Sequence, residues 1–349
     1  DVAVTAIGGQ PRAGQIEMAE AVANALSDRH HLLVQAGTGT GKSLAYLVPA
    51  LVHGKKVLVA TATLALQRQL IERDLPKIKG ALEKELNRDI SFAIYKGVGN
   101  YVCLQKMNNA PDDPESQAVL EISSLESDAK RLRAWAQSKG ATGDRDDAPD
   151  VDRRVWAANS VSGRECMGAD DCPSGSKCFA ALAKAKAQTA DIVVTNHTLL
   201  AIEIVDSHPI LPERDAIILD EAHYVSNGTA ARTKLVNSFT KKCERVWLLT
   251  GTPMTNRPMN YFNLLALIES PVAQNWMAYA IRYCQGYQFT AGTRKIWNVT
   301  GASNLEELRD RTSRQVLRRL KTEVLDLPEK IITPVYLRLK SKLYEGLMG

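Results

Sequence analysis

A glycine-rich loop near the start of this 349-residue chain has the residue types that bind phosphate. The loop reads Ala36-Gly37-Thr38-Gly39-Thr40-Gly41-Lys42-Ser43. An apolar run precedes it and a helical pattern follows, so its backbone N–H groups would close onto a helix N-terminus and face phosphate oxygens. Lys42 would neutralise the β- and γ-phosphates, and the Ser43 hydroxyl would hold Mg²⁺. The loop predicts a nucleotide site; the alternative is a structural turn, since Ala36 stands where the strict pattern has glycine.

A pair of carboxylates follows another apolar run, at Asp220-Glu221-Ala222-His223. Beside a phosphate loop, such a pair is typical of a second metal-coordinating element. Asp220 would bind Mg²⁺ through water, and Glu221 would polarise the water that attacks the γ-phosphate. His223 would link the nucleotide state to movement, or it is a satisfied polar residue.

Four of the six cysteines fall in one segment, at Cys103, Cys166, Cys172 and Cys178. Four thiolates can hold zinc or a [4Fe–4S] cluster. Structural zinc sites usually contain pairs two to four residues apart, and no such pair occurs here, so the spacing favours iron–sulfur. Zinc ligation and unligated core cysteines remain the alternatives. The two other cysteines are interpreted as small buried hydrophobic residues.

Six short apolar runs alternate with helical patterns, as expected for a parallel sheet with helical crossovers. The runs are Leu32–Gln35, Val57–Ala62, Phe92–Tyr95, Ile192–Thr195, Ala216–Leu219 and Val246–Leu249. This pattern predicts an α/β fold with helices on both faces of the sheet.

The rhythm stops over residues 97–190, which hold the four clustered cysteines. A structureless loop of that length is improbable, so we expect a mostly helical insertion. After Pro253 the pattern turns mostly helical and ends in a basic segment, Arg311–Lys321. Its helical spacing indicates a phosphate-contacting or lobe-linking helix, or a solvated face.

The composition excludes several classes of protein. Hydrophobic residues make up 45% and charged residues 24%, which is typical of a folded globular chain and not of a disordered, collagen-like or disulfide-dense one. No apolar stretch is long enough for a membrane span. The net charge of +5 is compatible with a polyanionic partner. With no visible leader we expect a cytoplasmic protein, and the ends suggest a piece of a longer chain.

Residues 7–223 resemble the iron–sulfur superfamily 2 helicases of the DinG/XPD family, closest to the bacterial DinG/YoaA type. The phosphate loop carries the likeness together with five further strings: Tyr95-Lys96-Gly97, Asn100–Leu104, Cys166-Met167-Gly168, Asp171-Cys172-Pro173 and Asp191–His197.

The resemblance implies a RecA-like motor lobe that binds ATP, Mg²⁺ and DNA, single-stranded or forked. Gln15 matches the glutamine that reads adenine in many such motors. Thr61 and Thr63 match a segment that touches the nucleic-acid backbone. Thr250-Gly251-Thr252 matches the element that couples hydrolysis to strand movement. The four cysteines match the ligands of a cluster-bearing domain that helps to separate strands.

Residues 215–345 instead resemble the Swi/Snf-type DNA translocases. Arg245–Pro253, Leu317–Lys321 and Leu327–Lys330 carry this second likeness. DinG-type chains place a large arch domain between the acidic pair and the coupling element, and the short interval from His223 to Thr250 leaves no room for one. The chain is therefore interpreted as a mosaic joined near residues 215–223.

These observations divide the chain into residues 1–96 and 191–255 as the motor lobe, 97–190 as the iron–sulfur insertion, and 256–349 as a helical Swi/Snf-like extension. A second motor lobe does not fit after Pro334, so we expect weak hydrolysis from this chain alone. The leading hypothesis is an ATP-dependent DNA helicase or translocase motor, bacterial or phage-encoded and nucleoid-associated. The alternatives are a duplex translocase that separates no strands and a redox-sensing, nucleotide-gated DNA-binding module.

Overall fold

A computed structural model describes residues 2–6, 8, 10, 12–37, 40–108, 119–202, 211–240, 243–254 and 257–319. Their main feature is a parallel sheet of seven strands in the order β3-β4-β2-β5-β6-β1-β9. The strands are β1 Leu32–Ala36, β2 Val57–Thr61, β3 Phe92–Ile94, β4 Ile192–Asn196, β5 Ala216–Asp220, β6 Val246–Thr250 and β9 Val316–Arg319. The first six correspond to the six predicted runs, which confirms the α/β fold.

Helices cover both faces of the sheet because successive strand residues point to opposite sides. In β5, Ile217 and Leu219 pack into one hydrophobic core and Ile218 into the other. The helices before the insertion are α1 Val2–Ala6, α2 Ala13–Ser27, α3 Lys42–Val52, α4 Leu64–Arg68 and α5 Leu75–Leu86. Those that follow β4 and β5 are α10 His197–Ile202 and α11 Ala231–Thr240.

The insertion between β3 and β4 has a small core of its own. Its helices are α6 Leu104–Asn108, α7 Val119–Ala136, α8 Arg153–Ala158 and α9 Phe179–Thr189. That core consists of Val102, Met107, Leu132, Ala136, Val155 and Trp156. The predicted helical character of this segment is therefore present in the described residues.

A buried ion cluster joins the insertion to the seven-stranded sheet. Lys96, two residues beyond β3, donates from Nζ to Asp144 Oδ1 at 2.7 Å and to Asp146 Oδ2 at 2.8 Å. The Lys96 side chain is 2% exposed and that of Asp144 is 7% exposed. Arg68 in α4 also contacts Asp146. Since α4 directly follows β2, the cluster fixes the acidic loop of the insertion against the sheet.

The segment after the coupling element is only partly helical. It contains α12 Pro258–Leu267, α13 Trp276–Cys284 and α14 Leu305–Thr312, together with a hairpin of β7 Tyr287–Ala291 and β8 Arg294–Asn298. The helix predicted over 311–321 is wrong, because α14 ends at Thr312 and Val316–Arg319 form a strand parallel to β1. The open edge of β1 offers backbone hydrogen bonds to this segment, and such pairing overrides local helix propensity. Residues 320–349 lie outside the described residues.

Within the described residues, every helix is too short or too polar to span a bilayer.

Candidate functional site

The phosphate loop runs from the end of β1 to the start of α3. The Thr40 hydroxyl donates to the Gly37 carbonyl at 2.8 Å and closes the turn. Gly41 has a left-handed φ of 81° immediately before Lys42 opens the helix, a conformation that glycine adopts without strain. Thr38 and Gly39, also predicted to contact nucleotide, lie outside the described residues. The described part of the loop has the predicted strand-turn-helix context.

Gln15 in α2 lies against the end of this loop. Its Nε2 donates to the Gly41 carbonyl at 3.1 Å. A Cβ added to Gly41 would stand 2.2 Å from that nitrogen, so the approach depends on glycine. Gln15 was expected to read adenine; the structure places it next to the loop, and recognition of the base stays a prediction.

The acidic pair faces the loop across the sheet. Lys42 Nζ lies 3.2 Å from Glu221 Oε1, and both side chains are largely buried. Asp220 ends β5, where Tyr46 donates from its hydroxyl to Asp220 Oδ2 at 3.4 Å. Burial raises the pKa of Asp220 and the Lys42 charge opposes that rise. Ser43 in the first turn of α3 and Asp220 both interact with the Tyr46 hydroxyl, and hydroxyl and carboxylate oxygens are donors that fit Mg²⁺.

A chain of hydrogen-bonding groups leads from Glu221 to the coupling element. His223 Nδ1 lies 3.3 Å from Glu221 Oε2 and 3.0 Å from the hydroxyl of Thr250, so it bridges the two. The Thr252 amide in turn donates to the Thr250 hydroxyl at 3.1 Å. Any displacement of Glu221 therefore reaches Thr252 through two side chains.

The strand order explains why these motifs meet. β6 lies between β5 and β1, with Thr250 beside Gln35 and Leu249 beside Asp220. Gly251 sits directly on the phosphate loop, because a Cβ there would be 3.6 Å from the Gly37 Cα. The carboxyl ends of three neighbouring parallel strands thus carry the loop, the acidic pair and the coupling element at one edge, where α/β sheets bind ligands.

The two threonines predicted to touch nucleic acid differ in exposure. Thr63 is exposed, and its hydroxyl caps α4 by accepting from the Leu66 amide. Thr61 has no exposed surface, and its hydroxyl donates to the Thr63 carbonyl at 3.1 Å. In this structure Thr61 shapes the turn that presents Thr63, and contact of either threonine with nucleic acid stays a prediction.

No role was predicted for His197, although this residue lies at the same edge of the sheet. Its Nε2 shares a hydrogen bond with the Ala60 carbonyl at 3.2 Å, next to the Thr61–Thr63 turn. The ring is almost fully buried, and burial lowers its pKa to about 4. Its place directly after β4 was the available signal, since the carboxyl ends of parallel strands meet at one edge.

The structure does not gather the four clustered cysteines. Cys103, Cys166, Cys172 and Cys178 are each partly buried and free. Across the described ranges, no three His, Cys, Asp or Glu side chains converge on a point that could hold a metal ion. The loops that carry them are neighbours, because the Ser174 hydroxyl donates to Gln105 at 3.1 Å and the Cys103 amide donates to the Asn159 carbonyl at 2.8 Å. As placed, these residues do not fit a cluster. Thiolates carry like charges and converge around a metal that neutralises them, so binding would have to draw the loops inward.

Two protein-family models match the chain in turn. A DEAD/DEAH box helicase model matches residues 16–109. An SNF2-related domain model matches residues 151–345, more than half of the chain. The first model covers the phosphate loop, and the second covers the coupling element.

Relatives divide the chain in the same way. The ATP-dependent helicase DinG of Mycobacterium tuberculosis is 49% identical over 240 residues, which is 65% of this chain and 36% of that protein. The ATP-dependent DNA helicase YoaA of Haemophilus influenzae is 40% identical over 227 residues, 62% of this chain and 33% of that protein. The mouse DNA annealing helicase and endonuclease ZRANB3 is 40% identical over 116 residues, 33% of this chain and 11% of that protein. The chain thus spans about a third of the length of its two bacterial relatives.

Proposed function

Because the chain belongs to the SNF2-related domain family, we propose that it is the first lobe of an ATP-dependent DNA helicase or translocase motor. The DinG-type resemblance of its first part and the helicase names of its relatives support the same reading. Since the chain covers about a third of those relatives, the activity of the whole protein is part of the proposal.

The contact between Lys42 and Glu221 carries the proposal. It joins a phosphate-binding cation to a carboxylate 3.2 Å away, and His223 extends the connection to Thr250. A nucleotide that arrives at the loop competes with Glu221 for the Lys42 ammonium. Binding would therefore free Glu221 and change its pairing with His223, which is the kind of event that a motor converts into movement.

Each residue then has a defined chemical task. We infer that the loop amides and Lys42 hold the phosphates, and that Ser43 and Asp220 would hold Mg²⁺. When bound, the ion would neutralise charge that develops on the β- and γ-phosphate oxygens. Glu221 orients the attacking water and accepts its proton. Because Lys42 and Asp220 are buried, their charges act in a low-dielectric surrounding, which strengthens them.

DNA is proposed to pass the edge that carries Thr63. This side chain is exposed at the N-terminus of α4, where backbone amides and the helix dipole favour phosphate. Binding should weaken as salt rises, because phosphate contacts release counterions.

The test is the rate of phosphate release from ATP, with and without single-stranded DNA. Wild type and Lys77→Ala, an exposed lysine of α5, are expected to hydrolyse ATP faster with DNA present. Lys42→Ala is expected to lose both hydrolysis and binding of a fluorescent ATP analogue. Equal rates in all three proteins would refute the nucleotide site.

A duplex translocase that separates no strands is the second candidate. The short interval between His223 and Thr250 favours it, since it leaves no room for an arch domain, as does the likeness of the later residues to ZRANB3. A forked substrate with one labelled strand distinguishes the two. Strand release that requires ATP favours the helicase, whereas displacement of a third strand from a duplex without fork opening favours the translocase.

We also propose that Cys103, Cys166, Cys172 and Cys178 bind a [4Fe–4S] cluster. The likeness to DinG-type chains around these residues supports the assignment, and no step of the ATP chemistry depends on it. Anaerobically purified protein should show a broad absorbance band at about 400 nm. A Cys172→Ser variant should lose that band, whereas Cys243→Ser should keep it. A colourless protein with stoichiometric zinc would overturn the iron–sulfur assignment.

A further inference from the structure

The β7–β8 hairpin projects from the motor lobe with both strands largely in solvent. Its register pairs Tyr287 with Asn298, Phe289 with Ile296 and Ala291 with Arg294. Gly292 closes the turn with a φ of 64°. An isolated two-stranded hairpin is marginal in water, so something must hold this one in place.

One face of the hairpin provides that anchor. Trp297 belongs to the face of Gln288 and packs edge-on against Trp276 of α13, with ring centroids 5.6 Å apart and planes at 88°. Edge-to-face aromatic packing of this kind stabilises by more than its buried area alone. The hairpin is thus fixed to α13 through this face.

The opposite face is apolar and exposed. Tyr287, Phe289 and Ile296 alternate onto it and are 57%, 42% and 43% exposed. The two aromatic rings are neighbours, with centroids 6.2 Å apart. Among the described residues, no other element packs on this face. Adjacent apolar side chains left in water at a fixed position indicate a binding surface.

The charge of the hairpin selects the kind of partner. Between Gly286 and Asn304 the charged residues are Arg294 and Lys295, both exposed beside the turn, and this stretch of sequence contains no acid. Arg294 pairs with Ala291 and shares the face of the aromatic rings, whereas Lys295 pairs with Thr290 on the opposite face. A cation beside exposed aromatic rings is a combination that binds single-stranded nucleic acid, in which bases stack on rings and a phosphate contacts the cation. A second copy of the chain would need about 800 Å² per partner, far more than three side chains offer.

The segment that follows the hairpin is tied to α13 and then reaches the edge of the sheet that carries the phosphate loop. The Arg282 carbonyl accepts hydrogen bonds from Ser303 and Asn304 at 2.7 Å and 2.8 Å, which tie the hairpin's exit to α13. Leu305, the next residue, lines a groove of about 710 Å³ together with Gln35 and Met254 at the ends of β1 and β6.

We propose that Tyr287, Phe289 and Ile296 form a platform for unpaired bases of single-stranded DNA, with Arg294 on a phosphate. This proposal rests on the proposed function and adds a contact surface outside the nucleotide edge. It places one DNA contact in the Swi/Snf-like part of the chain.

The test is the dissociation constant of a fluorescently labelled oligo(dT), measured by anisotropy on the full chain. The double variant Tyr287→Ala/Phe289→Ala should bind about tenfold more weakly, the loss expected for removing base stacking. The matched variant Gln288→Ala/Thr290→Ala on the other face should bind as wild type does. Tyr287→Phe/Phe289→Tyr, which retains both rings, should keep the affinity.

The cation has a separate readout. Arg294→Gln should reduce the slope of log affinity against log salt by about 0.7, the value for one single-strand phosphate. Equal affinity of the ring variant and wild type overturns the platform. So does a ring variant that turns a dimer into a monomer in light scattering while oligo(dT) affinity stays unchanged. If wild type itself binds no oligo(dT) and shows no DNA-stimulated hydrolysis, the proposed function fails together with the platform.

Discussion

The nucleotide edge and the cysteine insertion position their functional side chains by different means. At the nucleotide edge, parallel strands end in the phosphate loop, in Asp220 and in Thr250. Polar contacts there already join Lys42 to Glu221 and His223 to Thr250. In the insertion, the cysteines stand in loops at helix ends, and the described structure leaves them apart. A sheet can build a site before its ligand arrives, whereas loops around a metal depend on the metal for their final positions.

The largest expected effect is on ATP hydrolysis, which should depend on the nucleotide edge and not on the insertion. Glu221→Gln removes the group that orients water and accepts its proton, so hydrolysis should fall about 10³-fold while binding of an ATP analogue persists. Glu165→Gln, the same change within the insertion, should leave hydrolysis unaltered. Steady-state phosphate release measures both variants. A similar loss in each would mean that the two regions do not act separately.

The next effect concerns the junction between the regions. Lys96→Met leaves Asp144 buried without its cation, which should lower the free energy of unfolding by about 3 kcal/mol. Urea unfolding followed by fluorescence measures it. Lys106→Met, which removes a lysine contact to the Ser160 carbonyl, should cost far less. Adding Asp144→Asn to Lys96→Met should restore part of the stability, and an unrestored double variant would contradict the charge argument.

The pH dependence of the free energy of unfolding should report on His197, which lies at the nucleotide edge. Burial lowers the pKa of this histidine to about 4, against 6.5 for the free side chain. Because the folded state disfavours the charged ring, its contribution to stability is complete above pH 6.5 and is lost as pH falls toward 4. The loss should reach about 3 kcal/mol at low pH. His197→Gln should flatten this part of the curve; parallel curves for wild type and variant would count against the assignment.

Asp220 should affect the pH dependence of stability in the direction opposite to His197. Burial raises its pKa, so the ionised carboxylate costs stability once pH rises above the free value. Asp220→Asn should therefore raise the free energy of unfolding without magnesium by about 1 kcal/mol, while magnesium no longer promotes ATP binding. Thermal unfolding with and without magnesium measures both. A destabilised variant would show that the Lys42 charge outweighs the burial of Asp220.

The smallest effect concerns an exposed pair between β9 and α2. Arg319 Nε lies 2.5 Å from Glu17 Oε2, with both side chains partly in solvent. Arg319→Ala should cost about 0.5 kcal/mol or less. A loss of several kcal/mol in chemical unfolding would mean that the edge strand itself depends on this pair.

The local sequence pattern was enough to predict the central sheet and the motifs at the carboxyl ends of its strands. Short apolar runs between helical patterns identified the first six strands, and the rule that parallel strands end together brings Lys42, Glu221 and Thr250 to one place. Long-range pairing was not readable in the same way. Val316–Arg319 has helical spacing, and the open edge of β1 determines that it forms a strand.

Residue types alone did not predict several other features of the structure. Thr61 and Thr63 differ in exposure because of one turn in the backbone, which their shared identity does not reveal. The β7–β8 hairpin did carry a signal, since polar and apolar residues alternate from Tyr287 to Ala291 before Gly292, but the surrounding helical pattern obscured it. Whether the four thiols come together depends on a bound metal or cluster, and the spacing of the cysteines does not show whether one is bound.

The seventh strand has a practical consequence for anyone who shortens this protein. β9 covers the outer side of β1, the strand that leads into the phosphate loop. A fragment cut before Val316 would leave that strand's amides and carbonyls bare, and bare edges recruit strands from other molecules. Truncation there should yield aggregates, whereas a cut after Arg319 would leave the edge shielded.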